Sequence, residues 1–317
     1  MKNIKGLDSL RFFAFLAIFI FHATSHFKNG YLGVDFFFVL SSFLLTYLAY
    51  EEMNRTSYFS KKKFIIRRIL RIFPLYYLII IISFTIIPII DSSTLLPSNK
   101  ILYWLFLSNY DNSDCIYALK FLWSIAVEEQ FYLLFIGLSF LLMRKVMTLV
   151  SMLLFAYFSF KTITTYYNIS IYNNTINHFP DFAFGIIGGY IFYHKKEIKK
   201  ITFLLFIFSL IGNFFLKNDT LLHVNNAILF LSLIFIVIRY AESFSNFLLF
   251  KLTEKLGKYT FGLYVYSGFV LSIFPKLFIV SNPYISFTFK LFVLLIISIL
   301  SYHLFEKHFI RLKKHFE

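Results

Sequence analysis

Long apolar runs, broken by short charged or turn-rich stretches, repeat along the whole of this chain. Runs able to cross a bilayer fall at about 9–27, 31–50, 73–90, 122–143 and 146–160, then at about 179–194, 201–216, 221–238, 259–280 and 287–305. They predict an all-α, polytopic transmembrane helix bundle of about ten spans. After the second span, the stretch 51–73 contains SKKKFIIRRILRIF. On a helix, Lys63, Arg67, Arg68 and Arg71 would share an arc of about 140°, with Ile65, Ile66, Ile69, Ile72 and Phe73 over much of the remainder. That pattern predicts a basic interfacial helix. On the opposite side, 91–121 is the longest loop, and its apolar piece 101–107 is too short to span, so it is expected to cap an outward-facing cavity.

Several polar side chains interrupt the apolar runs. Arg11 and His22 are almost three helical turns apart, so they share one face and lie roughly 16 Å apart along the axis. Ionisable groups at such depth are costly and mark pathways or reactions. For Arg11 the competing reading is snorkelling to the interface, and for His22 it is helix packing. Asp35 follows Tyr31 and precedes Phe38 and Ser42 at helical spacing, which turns it toward protein. The fourth span begins WSIAVEEQFY, with Ser124, Glu128 and Tyr132 on one stripe. Glu128 and its neighbour Glu129 diverge by about 100°, so one is expected to react and the other to brace. His22 and Glu128 each lie roughly 8 to 10 Å below the outer boundary and are expected to meet. A histidine beside a carboxylate suits a general base for a hydroxyl group. Arg67, Arg68 and Arg71 suit phosphate or anionic lipid heads on the opposite side, while Lys61 to Lys63 read as a topology signal.

Composition supports the membrane reading. Of 317 residues, 59% are hydrophobic and only 15% charged, against about a quarter charged in soluble domains, and mean hydropathy is +0.72. The net charge of +15 sits in short clusters between spans, which argues against nucleic acid and for cytoplasmic loops. With the N-terminus inside, only Lys28, Lys100, Lys120, Lys161, Lys217, Lys276 and Lys290 of the 31 Lys and Arg fall outside. Both termini are therefore expected in the cytoplasm, with the N-terminal run kept as a signal anchor in the absence of a small-x-small cleavage site. The single Cys115 excludes an internal disulfide framework and a thiolate metal cage. His26, one turn beyond His22, lacks a second ligand pair and reads as interfacial, so no metal is expected. No internal repeat or soluble appendage is visible, which leaves one integral domain over 1–317.

The motifs, taken in order, resemble acyltransferase family 3. They are Arg11 and His22 within GLDSLRFFAFLAIFIFHA, then GVDFFFVLSSFLLT at 33–46, RRILRIFPLYY at 67–77, WSIAVEEQFYL at 123–133, LGKYTFGLYVY at 256–266 and FEKHF at 305–309. Ser42 stands where the family usually has glycine, Ser267 where a histidine is common, and His308 where a proline often follows Glu306 and Lys307. The first departure bears on helix approach near Asp35. The resemblance implies a multi-pass protein of the bacterial cytoplasmic membrane that moves an acyl group, most often acetyl, from acetyl-CoA or another acyl-CoA inside to a hydroxyl of an exported glycan. It implies His22 as base or transient acyl carrier, with Glu128 or Glu129 orienting it. Arg67, Arg68 and Arg71 would hold the CoA phosphates, and Arg11 would line the donor's path. Asp35, Ser124 and Tyr132 remain further site candidates. The rival reading is a transporter or flippase of a lipid-linked glycan, since buried Arg, His, Asp and Glu also mark substrate pathways. A third reading is a scaffold that has lost activity.

Overall fold

The computed structural model describes residues 4–24, 27–169, 172–194, 199–278 and 280–316. His26, named above, lies outside them. In chain order the helices are α1 (Leu7–Ala23), α2 (Leu32–Thr56), α3 (Lys61–Ile81), α4 (Ile87–Ile90), α5 (Ile101–Trp104) and α6 (Tyr117–Lys120). They continue with α7 (Leu122–Gly137), α8 (Ser139–Arg144), α9 (Val146–Tyr166), α10 (Phe179–Tyr193) and α11 (Lys199–Phe215). The last are α12 (Asp219–Phe244), α13 (Leu248–Gly257), α14 (Thr260–Leu277), α15 (Pro283–Ser301) and α16 (Lys307–Leu312). No strand occurs among the described residues, and each of the ten predicted runs falls largely on helix. Five helical segments among the described residues, Lys28–Thr56, Lys61–Ile90, Val146–Tyr166, Asp219–Phe244 and Pro283–Phe316, are long and apolar enough to cross a membrane. The chain fits a membrane helix bundle.

One expectation is corrected. The basic stretch 61–73 is not a separate interfacial helix. Ser60 caps its start by accepting from the Lys63 amide, and the helix then runs on through α3, a π-helical turn at Ile82–Ile86 and α4. Pro74 lies inside it. Proline removes one backbone bond, but nothing else here stops a helix: no glycine, no second cap and an apolar sequence on the far side. The basic residues are therefore the first turns of one continuous helical segment that is long and apolar enough to cross a membrane.

The helices form two compact units, each discontinuous in sequence. The first comprises residues 1–14, 31–59 and 131–257, and the second 15–30, 60–130 and 258–317. In the first unit α10 packs along α2 and also touches α9 and α12. The close fit to α2 depends on Gly185 and Gly189, one turn apart. A Cβ on Gly185 would lie 2.3 Å from the Val39 carbonyl oxygen, and one on Gly189 would lie 2.4 Å from that of Phe43. Small residues at four-residue spacing let helix backbones approach in this way. Ser42 therefore does not hold the helices apart: the space comes from α10, and Ser42 Oγ donates back to the Phe38 carbonyl at 2.9 Å. Leu7, Leu10, Phe36, Val39, Phe43, Ala227 and Ile234 form the apolar core of this unit.

In the second unit α14 packs against α15 and α6. Gly268 permits the latter contact, because a Cβ there would meet Ala118 Cα at 2.7 Å. The loop 91–121 is fastened by side chains of α3 and α7. Tyr76 and Tyr77 donate to the carbonyls of Tyr103 and Trp104 at 2.7 and 3.0 Å. Gln130 Nε2 donates to the Phe106 carbonyl at 2.8 Å and to Asn109 Oδ1 at 2.7 Å.

Candidate functional site

His22 is the last polar residue of α1 before the chain turns, and its ring rests in a short aromatic cluster. Phe121 lies 4.6 Å away centroid to centroid and Tyr117 5.5 Å. His22 Nδ1 is 2.7 Å from the Tyr117 hydroxyl. The turn of α6 that carries Tyr117 is held by Gly268 of α14, as above, and by a network at the start of α7. Tyr264 donates to the Phe121 carbonyl at 3.1 Å, and Ser124 Oγ lies 2.7 Å from the Tyr264 hydroxyl. Burial pushes the Tyr117 phenol up from its ordinary value, with Lys120 opposing, so Tyr117 stays a neutral hydroxyl at neutral pH. The hydroxyl can donate to Nδ1 or accept from it; in the tautomer whose Nδ1–H donates, the second ring nitrogen keeps its lone pair and can accept a proton.

The hydrogen-bond partner that His22 Nδ1 meets is Tyr117, where Glu128 or Glu129 was expected. The physical reason is that the short helix α6, which the hydropathy pattern does not reveal, brings a hydroxyl to the imidazole. Glu129 feels the negative charge of Glu128 and the positive charge of Arg68, and its Oε1 is buried without a hydrogen bond. Arg68 and Glu129 are thus brought into one electrostatic neighbourhood, where an opposite-side arrangement was expected. The continuity of α3 explains this: its arginines belong to one long helical segment and not to a separate short helix. Arg67 donates to the Phe316 carbonyl at 3.2 Å. Arg71 acts on Glu306, whose Oε1 accepts from Ser301 at 3.1 Å, while Ser301 accepts from Tyr266 at 3.0 Å. Glu306 has no assigned role above, although the FEKHF motif that holds it was a signal.

The remaining candidates divide. Arg11 pairs with Asp8 one turn earlier on α1. Tyr132 lies in the first unit, its hydroxyl 3.0 Å from Ser41 Oγ. Ser267 donates to the Tyr264 carbonyl at 2.6 Å, a local bond within α14. Asp35 faces protein as expected, in a buried cluster with His178, Asp181 and His223. One ligand-type atom from each of these four lies within 4.8 Å of the others, a spacing at which they could share a metal ion. The last three are not among the candidates drawn from the sequence. The signal was His178 followed by Asp181 at i, i+3, which puts both on one side of a helical turn inside an apolar region.

The sequence pattern described as an acyltransferase domain matches residues 4–303. The chain belongs to acyltransferase family 3. It is 30% identical to the O-acetyltransferase OatA of Staphylococcus aureus strain NCTC 8325 / PS 47 over 331 aligned positions, covering 93% of this chain and 54% of that protein. A putative O-acetyltransferase of S. aureus strain COL is 35% identical over 147 positions, 43% of this chain and 24% of that protein. The chain therefore spans about half the length of the OatA relatives it matches. No solved structure matches it.

Proposed function

We propose that this chain is a membrane O-acyltransferase, working as an O-acetyltransferase, that moves an acyl group from cytoplasmic acyl-CoA to a hydroxyl of an exported polysaccharide or oligosaccharide. Membership of the family and the activity for which its relatives are named support the reaction class. The observation that carries the site is the hydrogen bond between His22 and a neutral Tyr117. His22 takes the proton of the acceptor hydroxyl as its oxygen attacks the thioester carbonyl. The carbon–sulfur bond breaks, and the proton passes to the departing CoA thiolate. In the variant route His22 carries the acyl group transiently. Tyr117 orients the ring, a role that the resemblance gives to Glu128 or Glu129, and these two carboxylates remain candidates at the site.

Glu129, with Arg68 beside it, is assigned to balancing charge at the reacting centre. Arg67, Arg68 and Arg71 are assigned to the donor's phosphates, for which planar, always-charged guanidinium groups are suited. Arg11, paired with Asp8, is the further cation assigned to the donor. The reading takes 1–317 as one integral domain, in keeping with a family match that draws on both units. It also takes the chain to have about ten spans, to keep both termini inside and to lie in the bacterial cytoplasmic membrane.

The test uses purified protein, labelled acetyl-CoA and an exported glycan, with the label followed into an alkali-labile ester. Loss of about 10²- to 10⁴-fold in His22→Ala is expected for a general base. Transfer unchanged in that variant would remove His22 from the chemistry. Glycan crossing the membrane with no ester formed would favour the transporter.

A further inference from the structure

We propose that Asp35, His178, Asp181 and His223 form a buried binding site for a divalent transition-metal cation, with Zn²⁺ the best match to the donor set. The site lies within the first unit. Asp35 comes from α2, His178 from the 3₁₀ turn Thr175–His178, Asp181 from the first turn of α10, and His223 from α12. Side-chain exposure is 4% for Asp35, 0% for His178 and Asp181, and 12% for His223.

Three observations carry the assignment. The first is the tautomer of His178. Its Nε2 is 2.9 Å from the Tyr172 carbonyl oxygen, which can only accept, so Nε2 bears the hydrogen. In a neutral ring Nδ1 then presents a lone pair, and it does so 3.2 Å from Asp35 Oδ1 and 3.4 Å from Asp181 Oδ2. A lone pair facing two carboxylates calls for positive charge there, met either by a proton on Nδ1 or by a cation between the three groups. A backbone carbonyl fixing the far nitrogen of a histidine is also the usual outer support of a metal-bound imidazole.

The second observation is that Asp181 Oδ1 is buried without a hydrogen bond, and that the approach of His178 Nδ1 at 3.2 Å is the one polar contact given for the buried Asp35 Oδ1. A buried carboxylate oxygen left in this state is expensive.

The third is spacing. Ligands at about 2.0 to 2.1 Å from a tetrahedral centre stand roughly 3.3 to 3.4 Å from one another. Two separations in the cluster are 3.2 and 3.4 Å, and all four ligand atoms fall within 4.8 Å. Charge-assisted hydrogen bonds to an imidazolium would be nearer 2.7 to 2.9 Å. Only His223 Nε2 to Asp181 Oδ2, at 2.8 Å, has that length, and it would open by about half an ångström on binding. Two carboxylates and a dication also sum to zero charge, which suits a buried site. Four protein ligands leave no open position, so the site is structural: it ties α2, α10 and α12 together. The two histidines and two aspartates come from three separate parts of the chain, and no cysteine takes part.

The test is Co²⁺ and Zn²⁺ binding to the purified full-length chain in detergent after chelator treatment. One equivalent of Co²⁺ giving the intense visible absorption of a tetrahedral N,O site is expected, displaced by Zn²⁺, with a higher unfolding temperature on metal addition. Asp181→Asn and His223→Gln should each weaken binding at least tenfold. Absence of binding to the wild-type chain would overturn the proposal without recourse to variants. Binding undiminished in both variants would overturn it too, by placing the metal elsewhere. If chelator and metal leave the wild-type unfolding temperature and spectrum unchanged, the cluster is an imidazolium–carboxylate network and not a metal site.

Discussion

At the scale of single residues, the partner of His22 is a phenol and not a carboxylate. A carboxylate would hold the imidazolium by charge; Tyr117 holds only the ring's angle, through one hydrogen bond at 2.7 Å. Such a bond contributes about 1 kcal/mol, or roughly fivefold in rate. Tyr117→Phe is therefore expected to lower kcat about fivefold with little change in donor KM, whereas His22→Ala removes nearly all turnover; steady-state kinetics with varied acetyl-CoA separates the two. A second residue-scale prediction concerns Asp91. Hydrogen bonds from Lys276 and Ser93 hold its carboxyl down at about 2 from an ordinary 3.8. A carboxyl whose folded value is depressed adds stability above its unfolded value and loses it as pH falls through the folded one. Thermal midpoints of wild type and Asp91→Asn should thus differ by a constant amount above about pH 4 and converge as pH drops to about 2.

At the scale of elements, the contact of α2 with α10 rests on Gly185 and Gly189. Alanine at 185 gains helix propensity of about 1 kcal/mol, but its Cβ meets backbone at 2.3 Å. Overpacking of this kind costs about 1 to 3 kcal/mol, so Gly185→Ala should lower the unfolding temperature. Gly137, with nothing within 4 Å of its missing Cβ, is the control: Gly137→Ala should leave that temperature unchanged or raise it. The same contact also shows how far one sequence carries an argument about helices. Ser42 was visible as a departure from a family motif, but its consequence depended on residues some 140 positions later. The long helix from Lys61 to Ile90 makes a similar point. Its charged start matched an interfacial helix by composition, and only the absence of a break before the apolar half decided otherwise.

At the scale of the whole molecule, orientation is open to direct measurement. Lys28 and Arg144 are both exposed and are assigned to opposite sides by charge. In intact cells a membrane-impermeant maleimide should label Lys28→Cys and spare Arg144→Cys until the membrane is opened. Background should be low, because the single native Cys115 is buried and burial pushes its thiol up from the ordinary value. The reverse labelling pattern would invert the topology and move His22 to the cytoplasmic side.

The helical class, the positions of the apolar runs, the sign of the loops and the family motifs were determined by sequence alone. Each depends on local composition or on short spacing, and a membrane allows few backbone solutions for an apolar run. His22 was legible for the same reason: a polar group in lipid is conspicuous by its cost. Which groups meet was a different matter. Glu128 and Glu129 matched His22 in depth, yet depth fixes one coordinate of three. Rotation and tilt of α7, set by packing and by loop attachments such as Gln130 to Asn109, decide the other two. Tyr117 reached His22 through a four-residue helix with no hydropathy signal, and Asp35 found its partners on α10 and α12. Contacts of that kind follow from how helices pack, which no period along the chain records.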